Sequence, residues 1–208
     1  MELLTNIIQF PNVNNASKEG LLAVGGDLST ERLIYAYKNG IFPWFEEDEP
    51  ILWWSPNPRF VLFPEKLKIS KSMKQVLRNS NHRVTINKAF DEVIQQCSKI
   101  KRDGQSSTWI TKSMIKAYSK LYELGYAKSV EVWKDCDLVG GFYGIDLGNK
   151  VFCGESMFAT ESNASKIGLI TFIQITSYKL IDCQVFTHHM ESLGAEDIPR
   201  DKFLSFLI

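Results

Sequence analysis

Residues 128–158 read KSVEVWKDCDLVGGFYGIDLGNKVFCGESMF. Lys128 to Trp133, Leu138 to Leu147 and Lys150 to Phe158 are rich in β-branched and aromatic residues. Asp135-Cys136-Asp137 and Gly148-Asn149 punctuate them as turns. The stretch therefore predicts three consecutive antiparallel strands. Downstream, Asn163 to about Tyr178 predicts a long helix and Leu180 to Phe186 a strand with apolar residues on both faces, as a central strand has. A short helical piece ends at Gly194, and Pro199 is read as stopping any extension.

Upstream the helical period dominates. Ser29 is the expected N-cap of a helix that stops at Asn39-Gly40. Further helices are predicted over about Ser70 to Arg78 and Ala89 to Ser98, and from Thr111, as cap, to near Gly125. Phe60 to Phe63 and Arg83 to Ile86 read as strands. The order, helices first and then a meander, gives an α+β fold. The Pro-rich segment Ser55 to Pro58 is the expected boundary between residues 1–57 and residues 58–208. The first unit is too short for much core of its own and is expected to pack on the second.

Composition narrows the classes. With 208 residues, 44% hydrophobic and 23% charged, the chain can bury a real core and does not read as disordered. The most apolar stretch, Ile167 to Ile175, is too short to span a bilayer. Met1-Glu2-Leu3-Leu4 lacks the basic start of a signal peptide. Cys97, Cys136, Cys153 and Cys183 form no C-x-x-C pair, so zinc ribbons and redox motifs are not expected, and reduced thiols in a cytoplasmic protein are.

The formal net charge is zero, yet the charges are segregated. Residues 1–57 carry 3 basic and 8 acidic side chains, residues 58–128 carry 15 and 5, and residues 129–208 carry 6 and 11. The middle block is a candidate polyanion surface, although blocks in sequence can also be ordinary solvated surface. Lys71, Lys74 and Arg78 fall on one helical face, and Lys112, Lys116 and Lys120 repeat the spacing. Arg83, Lys99, Lys101 and Arg102 add to the block.

Several residues are candidates for chemistry. Asp182 and Gln184 alternate onto one face of the last long strand, where a carboxylate needs a partner or a function. Val151, Cys153, Glu155 and Met157 are expected to share a face of theirs, beside Gly154. Trp44, Trp53, Trp54 and Trp109 lie in or next to predicted loops, where indoles are either core or platforms for unpaired bases. Adjacent His188 and His189 do not aim at one ion, so no metal site is expected. Gly25-Gly26 reads as a turn, and no Walker A or G-x-S-x-G motif is present.

A set of longer words then resembles one family. They are Gly20-Leu21-Leu22-Ala23-Val24-Gly25-Gly26-Asp27-Leu28-Ser29, Gly40-Ile41-Phe42-Pro43-Trp44-Phe45 and Leu52-Trp53-Trp54-Ser55-Pro56-Asn57-Pro58-Arg59. Thr108-Trp109-Ile110, Gly140-Gly141-Phe142-Tyr143-Gly144, Phe152 to Phe158, Asn163 to Lys166, Asp182-Cys183-Gln184 and Ser192 to Ala195 follow in order. Together they resemble the leucyl/phenylalanyl-tRNA–protein transferases from Gly20 to about Phe203. The resemblance implies a small N-terminal α/β unit packed on a GNAT-like acyltransferase domain.

It also implies a bacterial cytoplasmic enzyme of N-degron degradation. Such an enzyme moves Leu or Phe, and Met less well, from aminoacyl-tRNA to the α-amine of proteins starting with Arg or Lys. Asp182 and Gln184 match the family's catalytic pair. Trp44 and Trp109 match aromatics near the terminal adenosine, Glu155 and Met157 match the substrate site, and Phe142 and Phe172 match the side-chain pocket. From the charge pattern, the face with Lys71, Lys74 and Arg78, together with Arg83 or the Lys112 series, is the candidate for tRNA phosphate contacts. No cofactor, metal or membrane is implied, and a monomer is expected. Two rivals are an acetyl-CoA-dependent GNAT enzyme, against which Ala159 to Gly168 lacks the phosphate-loop glycine pair, and an RNA-binding module without a reaction.

Overall fold

A computed structural model describes residues 2–100 and 109–208; Lys101, Arg102 and Thr108 fall outside the described residues. The strands are β1 (Glu2–Leu4), β2 (Leu21–Gly25), β3 (Phe42–Pro43), β4 (Leu52–Trp54), β5 (Arg59–Leu62), β6 (His82–Ile86), β7 (Ala127–Lys134), β8 (Asp137–Asp146), β9 (Val151–Ala159), β10 (Leu180–Gln184) and β11 (Glu196–Ile198). The helices are α1 (Thr30–Lys38), α2 (Lys71–Asn79), α3 (Phe90–Lys99), α4 (Lys112–Glu123), α5 (Ala164–Ile175), α6 (His188–Ser192) and α7 (Arg200–Leu204). The expected α+β fold is thus what the chain adopts, with a small N-terminal unit.

A sheet of order β1-β2-β4-β3 uses the chain up to Trp54, and a sheet of order β11-β5-β10-β9-β8-β7-β6 begins at Arg59. The meander β7-β8-β9 is antiparallel, and β10 joins β9 in parallel after the α5 crossover. Period-two alternation sorts the side chains onto two faces. Tyr143, Ile145, Val151, Cys153 and Leu180 enter one core with α1, α3, α4 and the smaller sheet. Val130, Val132, Phe142, Phe152 and Ile181 enter the other with α2 and α5. The smaller sheet therefore shares a core with the larger one.

Local caps explain several helix starts. Ser29, Ser70, Thr111 and Thr187 each accept the backbone N–H three residues on. For α3 the acceptor comes from elsewhere: buried Glu131 on β7 takes the N–H groups of Lys88 and Ala89. The short helix α6 ends at Ser192, well before Pro199, and Pro199 is itself the N-cap of α7. Arg200 of α7 donates to Ser55 O at 2.8 Å and Asn14 Oδ1 at 3.0 Å, which fastens the end of the fold to the Ser55–Pro58 segment.

The meander carries one irregularity that positions chemistry. Tyr143 pairs with Ser156 but Gly144 pairs with Gly154, so Glu155 is an extra residue on β9. A bulge of this kind re-aims side chains. Beyond it the alternation is out of phase: Phe158 joins the Cys153 face and Met157 packs on the opposite one. The expectation that Glu155 and Met157 share a face is thereby corrected. Gly144 is required opposite the bulge, because a Cβ there would lie 2.3 Å from Cys153 O.

Candidate active site

β9 and β10 stay paired only through Cys153 and Asp182. β9 then runs on to Ala159, whereas Gln184 adopts φ 64° and ends β10 two residues short of the expected Phe186. The two parallel strands part, and a cavity of about 440 Å³ opens in the gap. Phe142, Met157, Leu169, Ile181 and Met190 form an apolar wall on the α5 side of the sheet. Trp44 and Trp109 line it from the other side, with Glu155, Asp182 and Gln184 also in the lining.

Of the residues matched to the catalytic pair, the adenosine site and the substrate pocket, all but Phe172 line the cavity. Phe172 is fully buried behind it, edge-on to Phe142 at 5.4 Å between ring centroids. Three of the loop tryptophans separate by environment. Trp53 is core, its indole N–H donating to Gly25 O at 2.9 Å, while Trp44 and Trp109 face the cavity.

Asp182 is not a free carboxylate. Arg59 Nε donates to its Oδ1 at 2.8 Å and Arg59 Nη2 to its Oδ2 at 2.7 Å, both residues being buried. The backbone N–H of Gln184 also donates to Oδ1, at 2.9 Å. Arg59 in turn lies over the rings of Phe42 and Phe203 and donates to Gly40 O at 3.1 Å. Taking up a substrate proton on Asp182 would break a buried ion pair, which is costly. The geometry makes Asp182 the anchor of Gln184.

Glu155 is the carboxyl with chemical latitude. Gln184 Nε2 donates to its Oε1 at 2.8 Å and Tyr118 O–H to its Oε2 at 3.1 Å. Tyr118 also bonds the hydroxyl of Tyr37. Burial raises Glu155 to about 8, against the lowering effect of the Tyr37 and Tyr118 hydroxyls. A carboxyl poised near neutral pH in a cavity is suited to proton transfer. Because the amide N–H of Gln184 points at Glu155, its amide oxygen remains available as an acceptor. Sequence reasoning placed Glu155 and Gln184 at the site but missed Arg59, Tyr37 and Tyr118, which carry no spacing signal of their own.

The basic residues lie outside the cavity. Lys71, Lys74 and Arg78 are exposed along α2, and Arg83 is exposed on edge strand β6 over the Trp133 ring. The second stripe, Lys112, Lys116 and Lys120, is on α4 across the sheet from α2, and Lys120 pairs with Glu123. The two stripes do not form one surface. Among the described residues no helix is long and apolar enough to cross a membrane.

Comparison with known proteins identifies the class to which this cavity belongs. The leucyl/phenylalanyl-tRNA protein transferase family profile matches residues 61–208, and the profile of that family's N-terminal domain matches residues 26–57. A leucyl/phenylalanyl-tRNA–protein transferase of Flavobacterium psychrophilum is 55% identical, covering 100% of this chain and 99% of the relative. One from Klebsiella pneumoniae is 51% identical over 100% of this chain and 89% of the relative. A GCN5-related N-acetyltransferase from Kribbella flavida is 9% identical, covering 79% of this chain and 59% of that one, with a TM-score of 0.37. The chain belongs to the leucyl/phenylalanyl-tRNA–protein transferase family. It is an aminoacyltransferase that takes Leu or Phe from aminoacyl-tRNA to protein.

Proposed function

We propose that the acceptors are proteins beginning with Arg or Lys, that Met is transferred less well, and that the product is an N-degron made in the cytoplasm by a monomeric enzyme of two units joined at Ser55–Pro58. The family resemblance supports the acceptor class. The observation that carries the mechanism is the contact between Gln184 and Glu155 at the mouth of the strand gap. The apolar wall with Phe142 and Met157 receives the Leu or Phe side chain. Trp44 and Trp109 hold the terminal adenosine by stacking. Lys71, Lys74, Arg78 and Arg83 meet acceptor-stem phosphates, which require charge but no sequence reading.

The donor is already an activated ester, so alignment does much of the work and is worth roughly 7–11 kcal/mol in favourable cases. The acceptor α-amine, with an ordinary value near ~7.7–8.0, is partly neutral at physiological pH. It attacks the ester carbonyl carbon while the Gln184 amide oxygen orients an amine N–H. Glu155, when ionised, accepts the proton lost by the attacking nitrogen. The C–N bond forms, the C–O bond to the ribose breaks, and the proton returns to the departing ribose oxygen. Asp182 and Arg59 hold Gln184 in place throughout.

The test is transfer of labelled Phe from Phe-tRNA to a peptide beginning with Arg, beside one beginning with Ala. Label on the Arg peptide alone is expected. Equal labelling of both would contradict the acceptor specificity.

A further inference from the structure

We infer that Tyr37, carried by α1 of the N-terminal unit, is a positioning residue for the Glu155 carboxyl and acts on it together with Tyr118. The inference rests on the reading of Glu155 as the proton acceptor and extends it to a residue outside the cavity lining. Tyr37 and Tyr118 are at most 2% exposed and lie 81 residues apart in sequence. Their hydroxyls bond each other, Tyr118 O–H donates to Glu155 Oε2, and the Tyr37 hydroxyl also acts on the Glu155 carboxyl. Buried hydroxyls that served packing alone could be replaced by the same rings without oxygen, since both residues sit among apolar neighbours of one core.

The direction of the link is toward the chemistry. Each hydroxyl favours the ionised form of Glu155. The other charged groups facing Glu155 are Arg59 on β5, which favours ionisation, and Asp182 on β10, which opposes it; Tyr143 on β8 packs edge-on against the Tyr118 ring. None of these is altered by removing the Tyr37 hydroxyl. The first sheet's unit thus does more than cover the second: through α1 it sets how readily Glu155 takes a proton. An N-terminal unit docked in a different position would release Tyr118 and leave less of Glu155 ionised at neutral pH.

The experiment is single-turnover transfer from Phe-tRNA to an Arg peptide between about pH 6 and 8.5, with Tyr37→Phe, Tyr118→Phe and Glu155→Gln compared with wild type. Tyr37→Phe should lower the rate at pH 7 roughly three- to tenfold and displace the rate–pH curve upward by about half to one unit. The peptide KM should be unchanged. Tyr118→Phe, which removes the neighbouring hydroxyl, should displace the curve in the same direction and keeps the test available if Tyr37→Phe folds poorly. A Tyr37→Phe curve superimposable on wild type, with Glu155→Gln inactive, would overturn the inference while leaving Glu155 as the base. A Glu155→Gln enzyme with wild-type rate and pH dependence would instead remove the base, and the inference with it.

Discussion

Arg59 and Asp182 clasp each other across β5 and β10, guanidinium Nε and Nη2 each donating to one carboxylate oxygen, in a setting where both side chains are 1% exposed or less. Arg59→Met would leave the Asp182 carboxylate buried and unpaired, a change that typically costs about 3–5 kcal/mol. Urea unfolding should show a loss of that size. A loss under about 1 kcal/mol would mean that water reaches the pair and that it does not anchor Gln184.

Glu155 makes stability depend on pH. Its value in the folded protein, about 8, is above its ordinary 4.5, so the folded state holds this proton over a range in which the unfolded chain has released it. The contribution is fully present below about 4.5 and is lost as pH rises through about 8. Other groups titrate too, so the readout is the difference between variants. The Tm of wild type should fall relative to that of Glu155→Gln between about pH 5 and 8.5. Parallel curves would contradict the raised value.

How far these features were legible in the sequence depends on whether they are local. The meander β7 to β9 was readable because alternation and turn residues are local signals. The ends of α5 and β10 were not: the sequence reads as helix to about Tyr178 although α5 ends at Ile175, and the left-handed Gln184 turns the chain out of the sheet. The bulge at Glu155 leaves no mark in the alternation before it, so alternation alone puts Met157 on the wrong face. β2 and β4 escaped the pattern because their residues are held by the core they share with the larger sheet rather than by one amphipathic face. Asp182 was expected to seek a partner, but its partner is 123 residues away in sequence, and no spacing rule links Arg59 to it.

The aromatic side of the cavity has a separable consequence. Trp44→Ala and Trp109→Ala remove platforms expected to be worth about 1–3 kcal/mol per stacked base. The KM for Phe-tRNA should rise roughly five- to 150-fold for either variant, with much smaller effects on the peptide KM. An unchanged KM for Phe-tRNA would place the adenosine elsewhere.

The α2 stripe should act by charge alone. Reversing Lys74 to Glu should weaken tRNA binding and flatten its salt dependence by about one unit of the log–log slope or more. Reversing Lys116, on the opposite face, should change neither. Equal losses from both substitutions would mean that the tRNA path does not follow α2.

The account turns on Glu155, not Asp182, being the group that takes the proton. The direct measurement is the pH dependence of the single-turnover transfer rate for Glu155→Gln and Asp182→Asn, each on protein shown to be folded. Glu155→Gln should lose about 10²-fold or more and its residual rate should no longer rise through the limb near pH 8. Asp182→Asn, by loosening Gln184, should slow transfer while keeping the wild-type limb. The reverse pattern, with the limb kept in Glu155→Gln and lost in Asp182→Asn, would contradict the assignment.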